Sequence, residues 1–199
     1  MAGAPDTNRP LPLKPLKIVL LGPPGAGKGT QAQLLSARLG VPAISTGDML
    51  REAVAAGSEL GKRVEGIMAS GGLVDDALMA EVVRDRLAKA DARAGFLLDG
   101  YPRTSPQAKT LEGILSEAGE RLDAVVMVDV PEEELVRRAL LRGRADDGEE
   151  VIRARQRVYR EKTEPLIGYY RERGLLHEID GHQPVDAVTA HMFAALGVA

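Results

Sequence analysis

The segment Gly22-Pro23-Pro24-Gly25-Ala26-Gly27-Lys28-Gly29-Thr30 sets four glycines and a lysine between an apolar run and an amphipathic one. Glycines let backbone N–H groups converge on anionic oxygens without side-chain obstruction. A following helix N-terminus adds unpaired donors and the positive end of its dipole. A strand before and a helix after are the context a phosphate-binding loop needs. Gly25, Ala26, Gly27, Lys28, Gly29 and Thr30 are therefore candidates to cradle a polyphosphate, with Lys28 reaching the β- and γ-phosphates as a point charge. The general pattern places Ser or Thr directly after the lysine. Here Gly29 takes that place and Thr30 follows.

Polyphosphate chemistry also calls for arginines, whose planar forks donate in pairs and stay charged. Arg103 follows Pro102 just past an apolar run, where α/β ligands sit. Asp99 ends that run, at a place where a carboxylate can meet magnesium through water. Arg138 and Arg142 stand four apart and so share one helix face, with Leu135, Val136, Ala139 and Leu140 as the expected core stripe. On periodicity alone these two arginines belong to a solvated face, as do Arg153, Arg157 and Arg160. Arg51 alone reads as an exposed helical position. Arg144 stands just before Asp146-Asp147, and Arg155 flanks the apolar line Val151, Ala154, Val158.

The elements that must hold these residues are short apolar strands separated by helical stretches. Lys17–Leu21, Pro42–Ser45, Gly95–Asp99, Ala124–Val130 and Leu175–Asp180 read as five strands. Their near-continuous apolar character is what parallel strands covered on both faces require. Helical patterns between them fit βαβ crossovers. From Thr46 to Gly72 no strand is expected, only helical segments punctuated by glycines, which suggests a flap inserted near the carboxyl ends of the sheet. Residues 1–15 carry four prolines and no apolar periodicity and are expected to be a disordered tail; 16–199 are expected to form one domain.

Composition removes whole classes of function. The net charge is −3, which gives no global field for nucleic acid or an anionic membrane. No cysteine is present, so disulfides, thiolate catalysis and cysteine-based zinc sites are excluded. No run approaches the roughly 18 apolar residues of a membrane span, and the first residues lack a signal peptide's apolar stretch. The three histidines, His177, His182 and His191, have no metal-binding spacing. A cytoplasmic, monomeric protein is expected. Aromatic residues are only 3%, so a purine would stack on an arginine plane instead.

Several segments in order resemble the nucleoside monophosphate kinases, and specifically the adenylate kinase family. They are the Gly-Lys-Gly-Thr loop ending, Ser45-Thr46-Gly47-Asp48-Met49-Leu50-Arg51, Phe96 to Thr104 with Gln107 after it, the arginine cluster, Leu166 to Tyr170, and Asp180-Gly181. The resemblance covers about Lys17 to the C-terminus. It implies an α/β fold of the P-loop nucleoside triphosphate hydrolase type in three layers. A five-stranded parallel sheet would be flanked by helices, with a helical monophosphate-binding flap over 45–74 and a short lid over 142–147. It implies the reaction MgATP + AMP ⇌ 2 ADP, with Mg2+ and no zinc. Lys28, Arg103, Arg142, Arg144 and Arg155 would act on the transferred group. ATP would meet the loop, Arg138 over its adenine, Arg142 and Gln183. AMP would meet Thr46, Arg51, Gly72, Leu73, Val74, Gly100, Tyr101, Pro102, Arg103, Gln107, Arg144 and Arg155. Many bacterial relatives insert a few dozen residues at the lid, some binding zinc through cysteines. Here 142–147 passes directly between helices, which resembles the short forms.

Three rivals differ in what they need. A UMP/CMP kinase shares the chemistry with another acceptor, but tends to carry alanine and asparagine where Thr46 and Gln107 stand. A P-loop GTPase needs an Asn-Lys-x-Asp motif, and Asn8 is the only asparagine. A nucleotide-binding module without catalysis has no use for arginines aimed at a transferring phosphoryl group.

Overall fold

A computed structural model describes residues 15–143 and 148–198. The expected tail (1–15, Pro15 aside), Arg144, Asp146 and Asp147 lie outside the described residues.

Five strands form one all-parallel sheet in the order β2-β3-β1-β4-β5. They are β1 (Lys17–Leu21), β2 (Ala43–Ser45), β3 (Phe96–Asp99), β4 (Ala124–Asp129) and β5 (Leu176–Asp180). The expected strands are all present, each within one residue at either end. β1 is central and wholly buried. Its register sets Leu20 beside Asp99 of β3 and beside Val126 of β4, so the chemistry-bearing ends of neighbouring strands lie level.

Side chains alternate across the sheet with a period of two, so each strand feeds two cores. Val19, Leu21, Leu98, Val125 and Met127 pack on one face with Leu111, Leu115, Leu166 and Tyr170. Ile18, Leu20, Leu97, Val126 and Val128 pack on the other with Leu35, Leu39, Val188 and Met192. The helices carrying these partners are α1 (Lys28–Leu39) and α9 (Val185–Leu196) on the second face, and α5 (Ser105–Glu117) and α8 (Pro165–Arg171) on the first. This is the three-layer α/β sandwich expected of the sequence.

Between β2 and β3 run α2 (Thr46–Ala55), α3 (Glu59–Ala69) and α4 (Asp76–Leu87), with no strand among them. Ser45, Ser58 and Asp75 cap the three helices by accepting from backbone N–H groups in their first turns. α2 and α3 pack so closely that a Cβ on Gly61 would lie 2.1 Å from the Ala53 carbonyl oxygen. After β4 come α6 (Glu132–Arg142) and α7 (Glu149–Val158). In α6, Leu135 and Ala139 are buried as expected, but Leu140 is exposed, because the buried stripe is only one residue wide per turn. α7 continues through a π-helical turn, Tyr159–Thr163, into α8. Nothing in the residue pattern announces that turn.

Candidate functional site

The loop after β1 folds as its glycines demand. Gly25 has φ +91°, and a Cβ there would sit 2.6 Å from the Leu135 carbonyl oxygen, so no other residue fits without a shift. Gly27 caps α1 at φ +90°, and neither a side-chain cap nor an acidic residue occupies the first turn of that helix. Its first N–H groups and its dipole are therefore available to an anion. Lys28 folds back over the loop and donates to the carbonyls of Gly22 (2.8 Å) and Pro23 (3.0 Å).

This loop lines one part of a cleft of about 1030 Å³ along the carboxyl ends of the strands. Gly25, Ala26, Gly27, Lys28, Gly29, Thr30, Arg138, Arg142 and Gln183 all line it. So do Thr46, Arg51, Gly72, Leu73, Val74, Asp99, Gly100, Pro102, Arg103, Gln107 and Arg155. Tyr101 does not. Its side chain is 1% exposed and packs in the sheet's core, where burial first and the charge of Asp76 second push its phenol up to about 12. Tyr101 is therefore a core residue between two cleft residues, Gly100 and Pro102.

Three arginines gather on the wall of this cleft. Burial pulls the Arg103 guanidinium below its ordinary value, Asp99 pulls it back up, and Arg155 and Arg51 lower it further. Mutual repulsion of this kind means three cations share one neighbourhood, and arginine stays protonated through it. Arg103 is fixed by Nε donating to the Gly100 carbonyl (2.8 Å), and its own carbonyl accepts from the Thr163 hydroxyl (2.9 Å) on the π-helical turn. Arg51 pairs with Asp48 one turn back on α2. Arg155 reaches the Gly71 turn after α3, since its Cγ lies 3.2 Å from where a Cβ on Gly71 would stand. A buried amide ties α7 to the loop as well, with Gln156 donating to the Pro24 carbonyl at 2.8 Å.

Arg138 is braced between two anchors. Its Nε donates to Glu134 (2.7 Å) and its Nη1 to the Gly181 carbonyl (3.1 Å) on the segment after β5. Hydrogen bonds from Arg137 first and Arg138 second hold the Glu134 carboxyl down at about 2. Gln183 donates to Asp180 (2.8 Å) in that same segment. On the acceptor side, Thr46 is 1% exposed and donates to the Asp99 carbonyl at 3.3 Å. Gln107 serves the helix cap and the cleft together: Thr104 caps α5 by accepting from the Gln107 backbone N–H, while the Gln107 side chain accepts from Arg103 N–H (2.7 Å).

Sequence reasoning missed Gln156, Thr163, Glu134 and Asp76, which hold the cleft residues and do not announce themselves by motif. Arg153, Arg157 and Arg160 are exposed as expected, two of them in ion pairs with Glu149 and Glu132.

The family model for adenylate kinase matches residues 20–175. The chain belongs to the adenylate kinase family. Curated adenylate kinases agree along nearly their full length. That of Thermus thermophilus is 54% identical over 185 residues, which cover 91% of this chain and 97% of the relative. That of Thermobifida fusca is 51% identical over 185 residues, covering 91% and 98%. The adenylate kinase of Archaeoglobus fulgidus is 43% identical, and its alignment runs 212 positions while covering the same 91% of this chain. The extra positions are therefore residues that relative has and this chain lacks. Family membership makes the chain a phosphotransferase and favours an adenylate over a UMP/CMP acceptor. Among the described residues no helix is long and apolar enough to cross a membrane.

Proposed function

We propose that this phosphotransferase moves the terminal phosphoryl group of MgATP onto AMP, the two nucleotides sharing the one cleft with their phosphates meeting. The observation that carries this reading is the arrangement of charge. A glycine loop with an open helix N-terminus and a cluster of Arg51, Arg103 and Arg155 line the same cleft.

In this reading the loop N–H groups and Lys28 take the ATP phosphates, Lys28 exchanging its carbonyl partners for phosphate oxygens. Arg138, held level by Glu134 and the Gly181 carbonyl, offers its plane to the ATP adenine, with Gln183 beside it. Arg51 and Arg103 hold the AMP phosphate, Thr46 and Gln107 meet its base, and Gly72, Leu73, Val74, Gly100 and Pro102 shape its pocket. Arg142, Arg144 and Arg155 neutralise the group in flight. An AMP phosphate oxygen attacks the γ-phosphorus, the new O–P bond forms as the β–γ bridge breaks, and the bridging oxygen leaves with ADP. No side-chain nucleophile is needed, so positioning and electrostatic stabilisation do the work.

Asp99 fits the metal that accompanies ATP, because it ends β3 in register with Leu20 of β1, just before the loop, and lines the cleft. Magnesium would supply charge neutralisation between phosphates. The residues 45–74 act as a flap and 142–147 as a minimal lid, whose closing expels water. A monomer in the cytoplasm, where adenine nucleotides turn over, completes the reading. Scattered exposure of large apolar side chains supports the monomer.

The test is ADP formation from MgATP with AMP, CMP and UMP in turn. Catalytic efficiency with AMP is expected to exceed the others by at least about 100-fold, since unmatched polar groups in a closed site are costly. Equal use of CMP would overturn the acceptor assignment.

A further inference from the structure

Gln107 is 2% exposed and lies on the cleft wall at the start of α5. Its planar amide has two N–H donors and an oxygen with two lone pairs. The oxygen accepts from the backbone N–H of Arg103 at 2.7 Å, and the nitrogen donates to Oδ1 of Asp76, also at 2.7 Å. Neither partner can change role, because a backbone N–H only donates and an ionised carboxylate only accepts. Asp76 is itself held in place by the Thr104 hydroxyl, 3.1 and 3.2 Å from its two oxygens. Asp75 does the helix capping of α4, which leaves Asp76 to reach across to α5. A half-turn of the Gln107 amide would set NH2 against N–H and oxygen against carboxylate. Two buried mismatches of that kind, one of them against a charge, fix the amide in a single orientation.

One lone pair and one N–H of the amide remain for a ligand. In the fixed orientation they match an edge with an amino donor beside a ring-nitrogen acceptor, as a 6-aminopurine has. A 6-oxopurine of the same size presents the reverse, a carbonyl acceptor beside an N–H donor. A freely turning amide serves both.

We propose that Asp76 is a positioning residue for base selection: by fixing the orientation of Gln107 it admits a 6-aminopurine monophosphate and rejects its 6-oxo counterpart. The proposal rests on the AMP reading above and adds to it the origin of discrimination between bases of equal size.

The experiment measures kcat and KM for AMP and for inosine monophosphate, with MgATP as donor, in the wild type and in Asp76→Asn. The wild type should prefer AMP by at least about 100-fold. Asparagine keeps the shape but can donate or accept, so one of the two mismatches disappears. The preference should then narrow by about tenfold or more, AMP losing through KM and inosine monophosphate gaining, with KM for MgATP within about twofold of wild type. A purely structural role would lower both acceptors together. An unchanged ratio in a folded variant therefore overturns the proposal, and so does a wild type that uses both purines equally, although that result leaves the AMP reading standing. Equal use of CMP and AMP by the wild type would instead strike the AMP reading and take this proposal with it. If Asp76→Asn does not fold, the side-chain amide of Gln107 can be followed by 15N NMR in the unliganded wild type. An amide held by the carboxylate shows, of its two distinct Nε2 protons, one moved downfield and slowly exchanging with water. Two Nε2 protons at ordinary glutamine positions, both exchanging freely, overturn the proposal.

Discussion

Lys28 donates to two carbonyls of its own loop, those of Gly22 and Pro23. Replacing it with Met keeps the volume and an unbranched helix-compatible side chain while removing the charge. The fold should therefore survive while turnover falls by on the order of 100-fold or more, the scale of losing one preorganised donor. Steady-state kinetics beside a thermal melt checks this, and near-normal kcat would confine the loop to binding. The contrast with Asp76 shows what a sequence can disclose. Lys28 was legible because glycines at fixed spacing have few other uses. Asp76 was not, since a second aspartate after a helix cap looks like helix-start chemistry, and its partners Thr104 and Gln107 stand 28 and 31 residues away. Tyr101 stands in the same motif as Gly100 and Pro102, but a motif names neighbours along the chain and does not say which side chains turn into the core, as that of Tyr101 does.

At the scale of elements, strands were readable from apolar runs, with boundaries displaced by no more than a residue. Two-sided burial forces such runs, and little else in a chain of ordinary composition does. The π-helical turn of Tyr159–Thr163 was not readable, because its widened turn is imposed by packing and by the Thr163 bond to Arg103. The helical insertion was visible as a missing strand, and its tight seam explains one of its glycines. A Cβ on Gly61 would meet backbone atoms of Ala53 and Val54, so α2 and α3 would have to part. Gly61→Ala should cost about 1–3 kcal/mol, or roughly 2–10 °C in Tm. It should also raise KM for AMP more than KM for MgATP, because Thr46 and Arg51 ride on α2. Gly66→Ala on the same helix meets nothing within 4 Å, and it should hold or raise Tm by the helix preference for alanine. Equal melting temperatures for the two variants would show that the seam between α2 and α3 is not tight.

For the molecule as a whole, the proposed reaction puts the metal with the substrate and not with the fold. Among the described residues no group of three or more histidine, aspartate or glutamate side chains is placed to hold an ion. Asp99 brings a single carboxylate to the cleft near the loop. Magnesium binds proteins through one or two carboxylates together with substrate phosphates and keeps several waters, so Asp99 alone should hold it weakly. Two apolar cores, one on each sheet face, pack the nucleotide-free fold. Thorough chelation should therefore abolish ADP formation from ATP and AMP while leaving Tm within about 1 °C, and restored magnesium should return full turnover. With ATP present the ion gains phosphate ligands, so magnesium and ATP together should raise Tm by more than ATP alone, as binding to the folded state requires. Scanning calorimetry with and without chelator, run beside the turnover assay, separates the alternatives. A melt that fell several degrees on chelation would place a structural ion in the fold, and undiminished turnover would remove the metal from the reaction.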